Sequence, residues 1–310
     1  MALKTHIART VKACTQSLGV TQLMTKLSRS NQIIAIHMVS RSDAERFEHT
    51  VSFLNEQFKL VSLDEFISQL ASSSSRKPTG LATLTFDDGF LNHYEVAYPI
   101  LKGLSIPATF FVCSGLINSG AYVWTWEIGA RLARLAPADR QSLFKRPDVS
   151  DIKLLVNQMK RLQLQERERL QMEIIAHTSG FQFSAAEEEL YATMTWDHVT
   201  SLDASLITIG SHTHTHINLP QACDERLHLE LHEGRRQLED RLGRRVVHFC
   251  YPDGLYDQRT LAAVASYYMS AVTSKRGANR WGHNVFELNR IHIEYDIPYF
   301  AWDIMSNSIK

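Results

Sequence analysis

Short apolar segments that predict β-strands alternate with segments that predict amphipathic helices along most of this chain. Strands are predicted at residues 32–39, 81–86, 108–112, 206–209, 246–251 and 270–273. Helices are predicted at residues 45–58, from 62 onward, and at 93–104, 222–242 and 257–267. Strands that alternate with helices form parallel βα units, whose functional sites lie at the C-terminal ends of the strands. The sequence therefore predicts an α/β fold with its site at those ends.

Two neighbouring aspartates, Asp87 and Asp88, follow the predicted strand at residues 81–86 and precede Gly89. Successive side chains of a regular strand point to opposite faces, so both aspartates can serve one site only if the chain turns there. Glycine permits a sharp turn because it has no Cβ. Asp-Asp-Gly also occurs in ordinary turns, but two acids at a strand end are typical of an active site.

A second predicted strand ends near Gly210 and leads into three alternating histidines, His212, His214 and His216. Two imidazoles separated by four positions can bind one metal ion from a single turn of chain. Two histidines and one carboxylate form a ligand set that leaves positions open for water and substrate. We therefore predict a metal site formed by Asp88, His212 and His216, with His214 pointing away from it.

Composition excludes several classes of function. The 310 residues include 33 basic and 33 acidic side chains, and a net charge of zero argues against a nucleic-acid partner. The four cysteines are widely spaced without a CxxC motif, which argues against a zinc ribbon or a thioredoxin-like site. The sequence shows neither a membrane-spanning apolar run nor the apolar core of a signal peptide, so we expect a cytoplasmic enzyme. The sequence does not indicate the oligomeric state.

The chain divides into two predicted parts. Residues 1–30 predict an N-terminal helical extension, and residues 31–310 form the main domain. Between about 117 and 193 the strand pattern disappears and helical periodicity dominates. This segment predicts a helical insertion at one rim of the main fold.

The two motifs together resemble the polysaccharide deacetylase family, which is defined by NodB homology and is also known as carbohydrate esterase family 4. Its TFDDG motif is found at residues 85–89 and its HTxxH motif at residues 212–216. Residues 194–197 and 249–254 also resemble the family, and the resemblance extends from about residue 33 to about residue 295. It implies a distorted (β/α) barrel of NodB type that hydrolyses an N-acetyl group, sometimes an O-acetyl or N-formyl group, from a sugar.

The chemistry of such a reaction fits the residues. A divalent ion held by Asp88, His212 and His216 would polarise the amide carbonyl and lower the pKa of bound water. Asp87, which would not bind the metal, would take the proton of that water as general base. A backbone N–H near Tyr251 would help to hold the oxyanion. We expect one Zn²⁺ ion, with Co²⁺, Ni²⁺ or Fe²⁺ as alternatives, because this donor set accepts each of them.

This chain departs from the most common family pattern at two positions, the general acid and the arginine that pairs with the general base. A subgroup that resembles exopolysaccharide deacetylases carries a histidine motif near its N-terminus, and His37 matches it. His37 is therefore the expected general acid, with His292 as the alternative. Many relatives have an arginine in the third motif where this chain has Cys250. Arg290 could replace that arginine by pairing with Asp87.

The leading hypothesis is a metal-dependent hydrolase that removes an N-acetyl group from an amino sugar or glycan in cell-surface polysaccharide or glycolipid biosynthesis. One alternative is an O-acetyl esterase or an N-deformylase that acts on a lipid-linked or nucleotide-linked sugar. Another is a catalytically silent glycan-binding scaffold. Trp124 and Trp126 are candidates either for lining a sugar groove or for the core of the helical insertion.

Overall fold

The computed structural model describes residues 30–72 and 79–308. Except for Ser30, the predicted N-terminal helical extension therefore lies outside the described residues. No helix of the described part is both long enough and apolar enough to cross a lipid bilayer.

The described residues form one parallel sheet of eight strands. The strands are β1 (Gln32–Ile36), β2 (Lys59–Leu60), β3 (Leu81–Phe86), β4 (Ala108–Val112), β5 (Ile207–Ser211), β6 (His248–Cys250), β7 (Ser270–Arg276) and β8 (Leu288–His292). Their order is β1-β8-β7-β6-β5-β4-β3-β2, and β1 also pairs with β3. All strands except β2 thus close into a seven-stranded barrel. The predicted distorted (β/α) barrel is confirmed.

Helices surround this barrel. They are α1 (Ala44–Gln57), α2 (Leu63–Ala71), α3 (Tyr98–Leu104), α4 (Trp124–Arg134), α5 (Pro137–Phe144), α6 (Ile152–Met159), α7 (Leu164–His177), α8 (Ala185–Tyr191), α9 (Trp196–Ser201), α10 (Asp224–Leu242), α11 (Gln258–Tyr267) and α12 (Ile297–Ser308). Helices α4 to α9 all lie between β4 and β5, and no strand occurs among these described residues. Every residue of β1, β3 and β4 is buried, as expected for strands with the barrel interior on one side and helices on the other.

Local sequence explains where several elements begin and end. The Ser62 side chain accepts a hydrogen bond from the Glu65 N–H and starts α2. Gly243 adopts a left-handed conformation (φ 64°) and ends α10. Helix α3 begins at Tyr98, so Pro99 lies in its first turn, where a missing N–H is tolerated.

Candidate metal centre and active site

The two aspartates lie at the C-terminal end of β3, where the chain turns sharply. The Asp87 N–H donates to the Ile36 carbonyl and extends the pairing of β3 with β1. The turn begins at Asp88 (φ 76°), one residue earlier than the glycine suggested, and continues through Gly89 (φ 71°). A Cβ at Gly89 would lie only 3.0 Å from Val112 Cγ1, so a larger residue would not fit there. The turn brings both buried carboxylates to one site.

The histidine segment leaves the end of β5 through a second irregular turn. Thr213 (φ 69°) and His216 (φ 58°) both adopt left-handed conformations, which curl the segment back on itself. As a result the rings of His212 and His216 lie edge to face, with centroids 4.9 Å apart. The Nδ1 atom of His214 instead makes a 2.9 Å hydrogen bond with Ser114 Oγ, away from the other two rings.

Asp88, His212 and His216 converge on one point. Asp88 Oδ1 lies 3.4 Å from His212 Nε2 and 3.1 Å from His216 Nε2. Donor atoms that bind one ion at about 2.0–2.2 Å are separated from each other by about 3.0–3.5 Å. All three residues are buried, and burial would raise the pKa of Asp88, but hydrogen bonds with His212 and His216 hold it well below its usual range.

The donor chemistry of this group also fits a metal ion. His212 Nδ1 lies 2.7 Å from the Cys250 carbonyl oxygen, which can only accept a hydrogen bond. The proton of a neutral His212 ring is therefore on Nδ1, and Nε2 is left as a ligand atom. One carboxylate oxygen and two imidazole nitrogens form a ligand set that can bind Zn²⁺, Co²⁺, Ni²⁺ or Fe²⁺. The three residues form a group that could hold a divalent ion.

Asp87 is held by Arg290 on the other side of the site. Arg290 Nη1 donates to Asp87 Oδ1 at 2.8 Å and Nη2 donates to Oδ2 at 2.7 Å, so the contact is a two-pronged fork. Burial would raise the pKa of Asp87, but the positive charge and hydrogen bonds of Arg290 lower it below its usual range. The structure thus has the pairing that the sequence suggested as a replacement for the arginine of the third motif.

The two candidate general acids lie next to each other beside Asp87. His37 Nε2 is 3.8 Å from Asp87 Oδ2, and about a third of its side chain is exposed. The ring of His292 stacks on that of His37, with centroids 5.5 Å apart. Partial burial, together with the neighbouring His37 and Arg290, lowers the pKa of His292 to about 4. His37 is therefore the histidine in direct reach of the Asp87 carboxylate.

A buried histidine that was not selected from the sequence, His93, holds the backbone of His37 in place. His93 lies in a π-helical turn at His93–Ala97, and its Nε2 contacts the backbone oxygen of His37. Burial among aromatic rings lowers the pKa of His93 to about 4. A carbonyl oxygen can only accept, so neutral His93 donates its Nε2 proton to the backbone that carries His37.

The expected oxyanion donor near Tyr251 is not the amide of Tyr251 itself. This N–H donates to the Val272 carbonyl at 3.2 Å and belongs to the pairing of β6 with β7. The Tyr251 ring is fully buried.

Two tryptophans contact the proposed metal ligands, a role that the sequence analysis did not consider. Trp126 Nε1 donates to Asp88 Oδ2 at 3.2 Å, and Trp124 Nε1 donates to the His216 backbone oxygen at 3.1 Å. Both tryptophans lie in the first turn of α4. Sequence alone could not show these contacts, because nothing local relates this helix to the loops that follow β3 and β5.

Glu230 of α10 is a further residue that the sequence did not identify. It is fully buried, and its Oε2 atom accepts hydrogen bonds from the His214 N–H (2.9 Å) and the Thr215 N–H (2.8 Å). Its other oxygen pairs with Arg226 at 2.9 Å. The carboxylate thus holds the backbone between the two histidine ligands.

Comparison with known proteins gives the family of this chain and relatives of its fold. The family model described as polysaccharide deacetylase matches residues 74–272, more than half of the chain. The deacetylase PplD of Streptococcus pyogenes, solved in complex with acetate, is 20% identical, with a TM-score of 0.59 over 89% of this chain and 98% of that one. IcaB from Ammonifex degensii is 17% identical, with a TM-score of 0.59 over 91% and 98%.

A third solved structure is a de-N-acetylase from Aggregatibacter actinomycetemcomitans. It is 16% identical, with a TM-score of 0.52 over 86% of this chain and 95% of that one. At these identities the three structures show the fold, and the family match shows the class of protein. The chain belongs to the polysaccharide deacetylase family and is a carbohydrate deacetylase, a hydrolase.

Proposed function

We propose that this protein is a metal-dependent deacetylase that removes the N-acetyl group of an amino sugar during the biosynthesis of a cell-surface polysaccharide or glycolipid. The observation that carries the proposal is the convergence of Asp88 Oδ1 with the Nε2 atoms of His212 and His216. A separate carboxylate, Asp87, lies beside this group and is held by Arg290. Zn²⁺ is the ion we propose first, since its preferred ligands include imidazole and carboxylate.

The roles of the protein side chains follow from their surroundings. A bound divalent ion supplies Lewis acidity and a water of lowered pKa at this position. Asp87 stays ionised because of Arg290, and its two oxygens keep lone pairs that Arg290 does not occupy. Asp87 can therefore accept a proton as general base. We assign the protonation of the leaving group to His37, and its partial exposure beside Asp87 supports this role.

The presence of a candidate acid supports an amide substrate. A leaving amine must be protonated, whereas an alkoxide depends less on a general acid. N-acetyl hydrolysis is therefore the reaction that makes most use of His37. The cytoplasmic location expected from the sequence stays a prediction.

The first experiment separates the roles of the two aspartates. We expect Asp88→Asn to lose Zn²⁺ binding, measured by titration calorimetry, because a ligand charge is removed. Asp87→Asn should keep Zn²⁺ but lose acetate release from a panel of N-acetylated amino sugars. Equal loss of Zn²⁺ in the two variants would contradict this division of roles.

The second experiment tests the bond that is cleaved. We expect His37→Ala to lower acetate release from an N-acetylated sugar by about 10²–10⁴-fold. Release from the matching O-acetylated sugar should fall much less, and His292→Ala in the same assay tests the alternative general acid. If the wild type releases acetate only from the O-acetylated sugar, or formate from an N-formylated one, the proposed N-acetyl substrate is wrong. If a metal-loaded wild type binds glycans and releases nothing, the protein is a binding scaffold.

A further inference from the structure

The two oxygens of Asp88 have different partners. Oδ1 faces the Nε2 atoms of His212 and His216, at 3.4 and 3.1 Å. Oδ2 accepts a hydrogen bond of 3.2 Å from Trp126 Nε1. An indole N–H can only donate, so Oδ2 accepts this hydrogen bond while Oδ1 faces the two imidazoles.

The indole of Trp126 is fixed by its packing. It stacks on Tyr191 with ring centroids 5.3 Å apart and an interplanar angle of 18°. Its other contact is the ring of Phe90, at 6.5 Å and 70°. Tyr191 ends α8, and Phe90 follows the turn that contains Asp88. The ring is therefore held between the loop after β3 and the helices between β4 and β5, with its N–H directed to the aspartate.

A neighbouring tryptophan makes an equivalent contact. Trp124 is buried, and its Nε1 donates to the backbone oxygen of His216. The Arg167 guanidinium lies 4.6 Å from the centre of its ring, which fixes the indole from the other side. The first turn of α4 thus touches two of the three proposed ligands, through one donor each.

We propose that Trp126 is a positioning residue that restricts Asp88 to binding the metal ion through a single oxygen. The inference depends on the metal role of the site given under the proposed function. A carboxylate can bind an ion through one oxygen or through both, and in the second mode here the ion would have to share Oδ2 with the indole N–H. A single-oxygen Asp88 leaves more of the ion accessible to the acetyl group of the substrate. In this role Trp126 neither lines a sugar groove nor serves only to pack the core of the helical insertion.

The experiment removes the donor and keeps the ring. Trp126 is replaced by β-(3-benzothienyl)alanine, which has sulfur in place of the indole N–H, and separately by phenylalanine. Trp196→Phe is the matched control, because that ring contacts Arg241 of α10. Thermal unfolding of the metal-free proteins reports whether the fold is kept. Titration calorimetry gives the dissociation constants of Zn²⁺ and, for the Zn²⁺-loaded proteins, of acetohydroxamate, which binds metals through two oxygens.

We expect both Trp126 variants to bind acetohydroxamate at least about tenfold more weakly than the control, which is the lower end of the loss in metal affinity or activity when outer partners of metal ligands are removed. Their Zn²⁺ dissociation constants should stay close to that of the control. Infrared difference spectra of protein labelled with ¹³C-aspartate should show a smaller separation of the two carboxylate stretching bands of Asp88, which marks binding through both oxygens.

Three outcomes would overturn the inference. In the first, the benzothienyl variant matches the control in all three measurements, so the N–H has no role. In the second, Zn²⁺ affinity falls as much as acetohydroxamate affinity, which indicates general support of the ligand. In the third, only the KM for the sugar changes, which indicates contact with substrate. If the wild type itself binds no Zn²⁺, the proposed function fails together with this inference. The three outcomes above overturn only the inference and leave the proposed function unaffected.

Discussion

The pair formed by Arg290 and Asp87 gives a sharp prediction about stability, because every donor of the guanidinium is used. Arg290 Nε donates to the Thr273 carbonyl at 2.7 Å. Nη1 donates to Asp87 Oδ1 and, at 3.3 Å, to Thr85 Oγ1. Nη2 donates to Asp87 Oδ2 and, at 3.3 Å, to Cys250 Sγ. These contacts account for all five N–H groups of an arginine, and both charged partners are buried.

The expected cost follows from this burial. Arg290→Met leaves the Asp87 carboxylate buried without a partner, which typically destabilises a protein by about 3–5 kcal/mol. Asp87→Asn leaves Arg290 unpaired and should cost a similar amount. Replacing both removes both buried charges, so the double variant should lose no more than the larger single loss. Arg290→Lys keeps the charge but has neither the fork nor five donors, so we expect an intermediate loss.

A double-mutant cycle measures this coupling. The assay is urea unfolding at pH 7 with a chelator present, so that metal binding does not add to stability. A protein in the upper part of the ordinary stability range of about 5–15 kcal/mol should stay folded in water after each single loss and give a measurable transition. If the two single losses simply add in the double variant, the two side chains do not stabilise each other, and the reasoning is wrong.

Two further predictions concern buried groups near the site. Glu230→Gln should raise the Zn²⁺ dissociation constant about 10–100-fold, because an amide NH₂ must then face donors of the histidine segment. Asp240→Asn on the exposed face of α10 is the control in the same calorimetric titration. Equal Zn²⁺ affinities of the two variants would contradict the role of Glu230. The pKa of His93 is lowered to about 4, below an unfolded value of about 6.5, so the native state favours the neutral ring. The contribution of the neutral His93 ring to the free energy of unfolding is complete above pH 6.5 and is lost as the pH falls to 4. The lost contribution is about 3 kcal/mol in total. His93→Phe should therefore lose about 3 kcal/mol less than wild type between pH 7 and pH 4 in metal-free urea unfolding, and identical losses would refute this assignment.

The sequence predicted the barrel well where strands consist of apolar and threonine residues. The predicted segments 81–86 and 108–112 coincide with β3 and β4, because short runs without charged residues and rich in apolar and β-branched side chains are typical of strands covered on both faces. Strand β8 was not predicted, because its sequence Leu-Asn-Arg-Ile-His contains a charge and an amide. Arg290 is tolerated inside the barrel only because Asp87, 203 residues away, accepts its fork. No local pattern contains that information.

The candidate site shows the same division between local and distant information. Asp88, His212 and His216 were selected from two short motifs, and the structure brings them together. The turn was expected at Gly89 but begins at Asp88, since the side chain must leave the strand direction in order to face the histidines. Trp126 could not be assigned, because its N–H contact depends on how α4 packs against the loop after β3.

The groups that support the site come from three separate elements: α4 supplies two indoles, α10 supplies Glu230, and β8 supplies Arg290. A buried glutamate or arginine is costly unless it is paired and hydrogen-bonded, so α10 and β8 carry such residues at no net loss only when the site is formed. The same holds for the indole N–H groups of α4, which need acceptors once they are buried. It follows that α4 belongs to the proposed metal site and supports its geometry. A shortened chain that lacked α4 would leave Asp88 Oδ2 and the His216 carbonyl without their donors, even with every residue of both family motifs intact.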